Sequence, residues 1–200
     1  MNKPVVLITG ALTGIGRATA LAFAKDGARV IVSGRREAEG KALEAELRRL
    51  GAEAAFIQAD VRRDDEVSNL VDKTVARFGR LDVAVNNAGT EGQVGPITDQ
   101  TGESYAATFD TNVLGVILSM KHEVRVMQGR GSGSIVNISS TYGHEGAAGA
   151  LYLCRQQARR RRHHQVGSAR DRQVGNPRER RGARSYGHQH ADSLHGHAGE

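Results

Sequence analysis

Five short apolar runs, separated by stretches of helical spacing, constrain this chain more than any other feature of its sequence. The first, VVLIT at residues 5–9, is continuously apolar and β-branched, as a strand covered on both faces must be. RATALAFAKDG follows with helical periodicity and stops at Gly27, a C-cap glycine. ARVIVSG is a second strand, residues 37–50 are a second helix that stops at Gly51, and AAFIQ is a third strand. DDEVSNLVDKTVARFG has acids in its first turn, sets Val67, Leu70, Val71 and Val75 on one face, and stops at Gly79. LDVAVNNAG is the fourth strand, residues 101–127 are mostly helix, and SIVNIS is the fifth strand. Strands that alternate with helices pair in parallel through right-handed crossovers, so the fold class is α/β, a doubly wound parallel sheet. Ligands of such sheets sit beyond the carboxyl ends of the strands.

The chemical character changes near residue 150. Residues 1–150 hold 17 Lys plus Arg against 18 Asp plus Glu, whereas residues 151–200 hold 11 Arg, no Lys and four acids. The net charge of +6 therefore comes wholly from the last quarter. Its large aliphatic residues are Leu151, Leu153, Val166, Val174 and Leu194, too little apolar surface to offset chain ordering, so residues 150–200 are expected to be a disordered basic tail. The single cysteine, Cys154, cannot form an intrachain disulfide. The N-terminus lacks a signal-peptide layout, and no apolar run approaches the roughly 18 residues of a membrane span, so a soluble cytoplasmic chain is expected.

At the first strand end stands Thr9-Gly10-Ala11-Leu12-Thr13-Gly14-Ile15-Gly16. Glycines let the backbone turn sharply and approach a pyrophosphate, and the next helix offers its unpaired N–H groups to the anion. The spacing is G-x-x-x-G-x-G, which departs from the G-x-G-x-x-G dinucleotide fingerprint. It resembles the T-G-x-x-x-G-x-G of the short-chain dehydrogenase/reductase family. The resemblance continues through NNAG at Asn86–Gly89, Asn112 in FDTNVLG, and IVNISS at 135–140, and so covers nearly all of residues 4–149. It implies a Rossmann-type domain over 1–149 and a nicotinamide-dependent oxidoreductase acting on a small-molecule alcohol/carbonyl pair.

Gly10, Thr13, Gly14, Ile15 and Gly16 are expected to hold the phosphates. An acid at the end of the second strand would bind the ribose 2′-hydroxyl of NAD and repel a 2′-phosphate. Gly34 takes that place here, followed by Arg35 and Arg36, whose guanidinium groups suit a 2′-phosphate. NADP(H) is therefore favoured over NAD(H). The resemblance further implies that Asp60 and Val61 contact the adenine, that Asn86, Ala88 and Gly89 line the nicotinamide side, and that Asn112 and Ser140 stand at the chemistry. Ser139 is the nearby alternative to Ser140.

The family also has a tyrosine thirteen places after its serine and a lysine four further on. The phenol exchanges the hydroxyl proton, and the lysine cation lowers its pKa from the ordinary value of about 10. This sequence has Leu153 and Gln157 at those positions, and no lysine after Lys121. Tyr152 is one place early, and on a helix one residue turns a side chain by about 100°, so it is a poor substitute. The sixth and seventh strands of the family are missing as well.

A shift of reading frame accounts for the break. Leu151–Ala158, LYLCRQQA, can be encoded CTC TAT CTA TGT CGG CAG CAA GCA. Read one base later, the triplets give S-I-Y-V-G-S-K, with tyrosine in register with 153 and lysine with 157. Permitted codons for residues 159–183 likewise yield AVVGITKSAALEIAKSGIRVNAVAP, a helix, a linker and a strand of the missing kind. The arginine run is then read as out-of-frame translation that begins near codons 146–151.

Other readings of the tail are weaker. Its arginines can contact nucleic-acid phosphates, but the frame explains them without a specific nucleic-acid partner. His163, His164 and the pairs His188/His190 and His195/His197 lack ligand spacing with cysteines or carboxylates, so no metal site is expected. A non-catalytic NADP(H)-binding protein is the coherent alternative, since the cradle is intact and the proton donor absent. The family's homodimer or homotetramer contacts involve the helix that should carry Tyr and Lys, so its assembly is not expected to carry over to this chain.

Overall fold

The computed structural model describes residues 3–140. The chain runs β1 (Val5–Thr9), α1 (Gly14–Lys25), β2 (Arg29–Gly34), α2 (Glu37–Arg49), β3 (Ala54–Gln58), α3 (Asp64–Phe78), β4 (Val83–Asn86), α4 (Gly102–Phe109), α5 (Gly115–Gln128) and β5 (Ser134–Asn137). All strand pairs are parallel, in the order β3-β2-β1-β4-β5. This is the doubly wound Rossmann-type α/β sheet that the alternation of strands and helices requires.

Every residue of β1 is buried, because the strand lies at the centre of the sheet with helices on both faces. Alternate side chains serve opposite layers. Val6, Ile8, Val30 and Val32 pack with Ala20 and Ala24 of α1 and Leu43 and Leu47 of α2. Leu7, Ile31 and Ala84 pack on the other side with Leu70 and Val71 of α3 and Met127 of α5. Polar contacts join α3 to α5: Asp64 meets Lys121 and His122 Nε2, each at 2.8 Å, and Asp72 pairs with Arg125 at 2.6 Å.

Boundaries depart from the sequence reading in several places, among them β5, which ends at Asn137 and not at Ser139. Helix α1 begins at Gly14, three residues before Arg17, because Gly14 (φ +53°) turns the chain directly into it. Strand β4 ends at Asn86 and not at Gly89, since the Asn87 N–H folds back onto the Val85 carbonyl at 3.1 Å and leaves the ladder. The helical stretch 101–127 is interrupted by a π turn at Asp110–Leu114, which separates α4 from α5.

Residues 141–200 lie outside the described residues. So do the expectations for them: a disordered tail, Tyr152 as a weak stand-in, Leu153 and Gln157 at the family positions, Cys154, the histidine pairs and the frame change. Among the described residues, no helix is long and apolar enough to cross a membrane, and no group of three or more His, Cys, Asp or Glu could hold a metal ion.

Candidate functional site

The carboxyl ends of β1, β2, β3 and β4 open onto one groove of about 1140 Å³. It is lined by Gly10, Thr13, Gly14 and Ile15 after β1, Arg35 and Arg36 after β2, Asp60 and Val61 after β3, and Ala88 and Gly89 after β4. The strand order places these segments side by side, because the chain leaves β1 for β2 on one side and β4 lies on the other.

Two glycines let the turn after β1 touch the segment after β4. A Cβ on Gly10 (φ +62°) would come within 2.6 Å of the Ala88 Cα, and one on Gly16 within 2.4 Å of both Asn87 Nδ2 and the Gly10 carbonyl oxygen. Asn87 Nδ2 fills this contact by donating to the Gly10 carbonyl at 2.9 Å, and the Ala88 N–H donates to Thr9 Oγ1 at 3.3 Å. Gly14 behaves differently: nothing lies within 4 Å of its Cβ position, so the space above it is open.

The helix end facing that space is prepared for an anion. The first intrahelical bond runs from the Arg17 N–H to the Thr13 carbonyl, so the amides of Gly14, Ile15 and Gly16 precede the ladder. Thr13 makes no side-chain cap, and the first turn carries no acid to occupy the positive end of the helix. Ile15 is exposed over the opening. These residues fit the pyrophosphate of a dinucleotide.

At the ends of β2 and β3 the groove is charged. Arg35 and Arg36 are exposed, with Arg36 pairing loosely to Glu39 at 3.3 Å. A Cβ on Gly34 would meet Leu12 Cδ1 at 2.7 Å, so an acid at this position fits only if Leu12 moves. The Asp60 carboxylate is held below the usual carboxylate range, chiefly by hydrogen bonds from the Arg62 guanidinium.

Four expected residues do not line the groove. Gly16 is buried beneath the turn. Asn112, fully buried in the π turn, accepts from the Thr90 N–H at 2.8 Å and donates to the Thr90 carbonyl at 2.6 Å, and so fixes the segment after β4. Ser140 is half-buried, three residues past β5, and Ser139 beside it is exposed. Asn86 was expected on the nicotinamide side. Its side chain instead turns inward, where Nδ2 donates to Glu123 Oε2 at 3.0 Å and Asn137 Oδ1 at 2.9 Å. The reason is strand alternation: Asn86 points into the α5 layer and its neighbour Asn87 toward the groove.

Three functional candidates escaped the sequence reading. Asn87 stands inside NNAG, where a second amide beside a turn was the available signal. Arg62 follows Asp60 at a spacing that permits a local ion pair. Glu123 lies on the buried stripe of α5 with Val116, Ser119 and Met127, an acid among residues that face the sheet. Burial pushes the Glu123 carboxyl up to about 7, with the Asn86 bond opposing the rise.

Two outcomes follow. Gly10→Ala forces a left-handed φ on a side chain that also meets the Ala88 backbone. It should cost about 1–3 kcal/mol of stability and at least about tenfold in nucleotide affinity, read by denaturant melts and fluorescence titration. For Glu123, the folded chain keeps a proton that the unfolded chain releases near 4.5. The stability of wild type relative to Glu123→Gln should be greatest below pH 4.5 and fall, by about 3 kcal/mol at most, as pH rises to about 7. Urea melts of both proteins across that range measure it.

The comparisons agree with this geometry. The family model for short chain dehydrogenase matches residues 4–154. An uncharacterized oxidoreductase of Thermotoga maritima is 45% identical over 139 residues, covering 70% of this chain and 54% of the relative. An actinorhodin polyketide ketoreductase structure with NADPH superposes with a TM-score of 0.76 at 36% identity, covering 78% of this chain and 60% of that one. An NAD+-bound xylitol dehydrogenase gives 0.77 at 32% identity, covering 79% and 61%. The chain thus spans little more than half the length of the relatives it matches. With the glycine turn, the β4 contact and the buried asparagine in place, the chain belongs to the short-chain dehydrogenase family.

Proposed function

We propose that residues 1–149 are the NADP(H)-binding domain of an oxidoreductase for an alcohol/carbonyl pair, and that the chain as written binds the nucleotide with little or no turnover. One observation carries this reading: an uncapped helix end, open above Gly14, faces a groove that is also lined by two exposed arginines. Thr13, Gly14 and Ile15 would hold the pyrophosphate, with Gly10 and Gly16 keeping the turn tight beneath it, and Asp60 and Val61 would hold the adenine. Ala88 and Gly89 would bound the nicotinamide end. A bound nicotinamide supplies the hydride donor or acceptor. Ser140 would bond the substrate oxygen, and Asn112 would act through the Thr90 segment it fixes. The proton has no carrier at the family positions, where Leu153 and Gln157 stand.

The choice of NADP(H) is supported by Arg35 and Arg36 and by Leu12, which fills the space an acid at position 34 would need. The two compared structures carry NADPH in one case and NAD+ in the other, so they support a nicotinamide cofactor of either kind. A cytoplasmic location and a small-molecule substrate complete the proposal. The second reading, a non-catalytic cofactor-binding remnant, shares the same cradle and differs in whether the gene change is real.

Titration of the purified 200-residue chain should show tighter binding of NADPH than of NADH, with turnover at background. Arg35→Ala with Arg36→Ala should weaken NADPH by about 10–100-fold and NADH by far less. Equal loss for both nucleotides, or sustained turnover, would overturn the proposal. Resequencing the coding DNA from codon 135 onward should find the other frame open through YVGSK and VNAVAPG; early stop codons there would refute the frame change. A base error in the record would make the protein a longer, active dehydrogenase, whereas a shift present in the genome would make it a disabled copy.

A further inference from the structure

Asp60 and Arg62 follow β3 and line the groove together with Arg35 and Arg36. The Arg62 guanidinium closes on the Asp60 carboxylate, with Nε 3.0 Å from each oxygen and Nη2 2.6 Å from Oδ2. The Arg62 backbone N–H adds a bond to Oδ1 at 3.1 Å. Both carboxylate oxygens are therefore engaged by one residue. The pair is nonetheless open to the groove on its cationic side: the Arg62 side chain is 40% exposed and that of Asp60 15%. Arg35 stands near enough to lower the Asp60 pKa further, after the dominant effect of Arg62.

An adenine amine that reaches Asp60 must displace a guanidinium contact. With only a ribose hydroxyl nearby, the displaced cation gains nothing better than water. With a 2′-phosphate nearby, it exchanges one anion for another, and charge-assisted bonds of similar strength replace those lost. Resting on the nucleotide reading above, we infer that the Arg62–Asp60 pair is a specificity gate: adenine takes a place on Asp60, and the released Arg62 guanidinium joins Arg35 on the 2′-phosphate. Arg62 is thus a specificity-determining residue, and the ion pair seen here is the closed state of the gate.

The test uses the full chain and two fragments of the nucleotide, 2′,5′-ADP and 5′-AMP, titrated by calorimetry. Arg62→Ala should weaken 2′,5′-ADP about tenfold or more while 5′-AMP is unchanged or tighter, because Asp60 is then uncovered. Arg62→Gln, which keeps the side-chain stem, should give the same split and serves if the alanine variant fails to fold. An affinity ratio that is unchanged or raised overturns the gate and leaves Arg62 as a brace of the β3 exit. A wild-type chain that binds neither fragment overturns the nucleotide reading itself, and the gate with it.

Discussion

The turn after β1 and the segment after β4 press backbone on backbone, and the site is assembled around that contact. Gly10 and Gly16 have no side chains there because Ala88, Asn87 and the Gly10 carbonyl occupy the space. The amide of Asn87 secures the contact from the β4 side, and the Thr9 hydroxyl receives the Ala88 N–H from the other. With these two segments locked, the first turn of α1 has one direction left in which to present its amides, which is into the groove. Asn112 extends the same logic by fastening Thr90 to the π turn, so that the segment leaving β4 is held at both ends.

Strands and the first three helices were legible because burial on both faces writes a continuous apolar run, and because Gly27, Gly51 and Gly79 mark helix stops with positive φ. The groove was legible for a related reason. Backbone packed on backbone leaves no room for side chains at Gly10 and Gly16, and the open space at Gly14 needs none, so the glycine spacing marks the tight turn at the end of β1. Side-chain direction was harder. Asn86 and Asn87 are the same residue type, and only the phase of the strand decides which one faces the groove and which one meets Glu123.

Glu123 and the π turn were not legible, because each is set by tertiary context. A carboxyl on a helix of mixed character reads as solvated until the helix is seen to lie against β4 and β5. A π turn has no composition of its own. It widens the helix by one residue, and Asp110–Leu114 uses that to aim Asn112 at Thr90 while α5 continues in phase with the sheet. The pair Arg62–Asp60 sits between these cases, since the sequence spacing permits it but cannot say that it lines a groove shared with Arg35 and Arg36.

The reversal of strand order between β1 and β4 also bears on how the domain comes together. Strands β1, β2 and β3 are close in the chain, whereas β4 must return across a separation of 77 residues to bond Val5 through Asp82. Closing so long a loop is the slow, entropically costly step of such a topology. The groove straddles that same seam, with arginines on the early strands and the Asn87 segment on the late one. A dinucleotide lying in it would grip both halves and act as a staple across the β1–β4 pair, so that the ligand would favour the very sheet that creates its site.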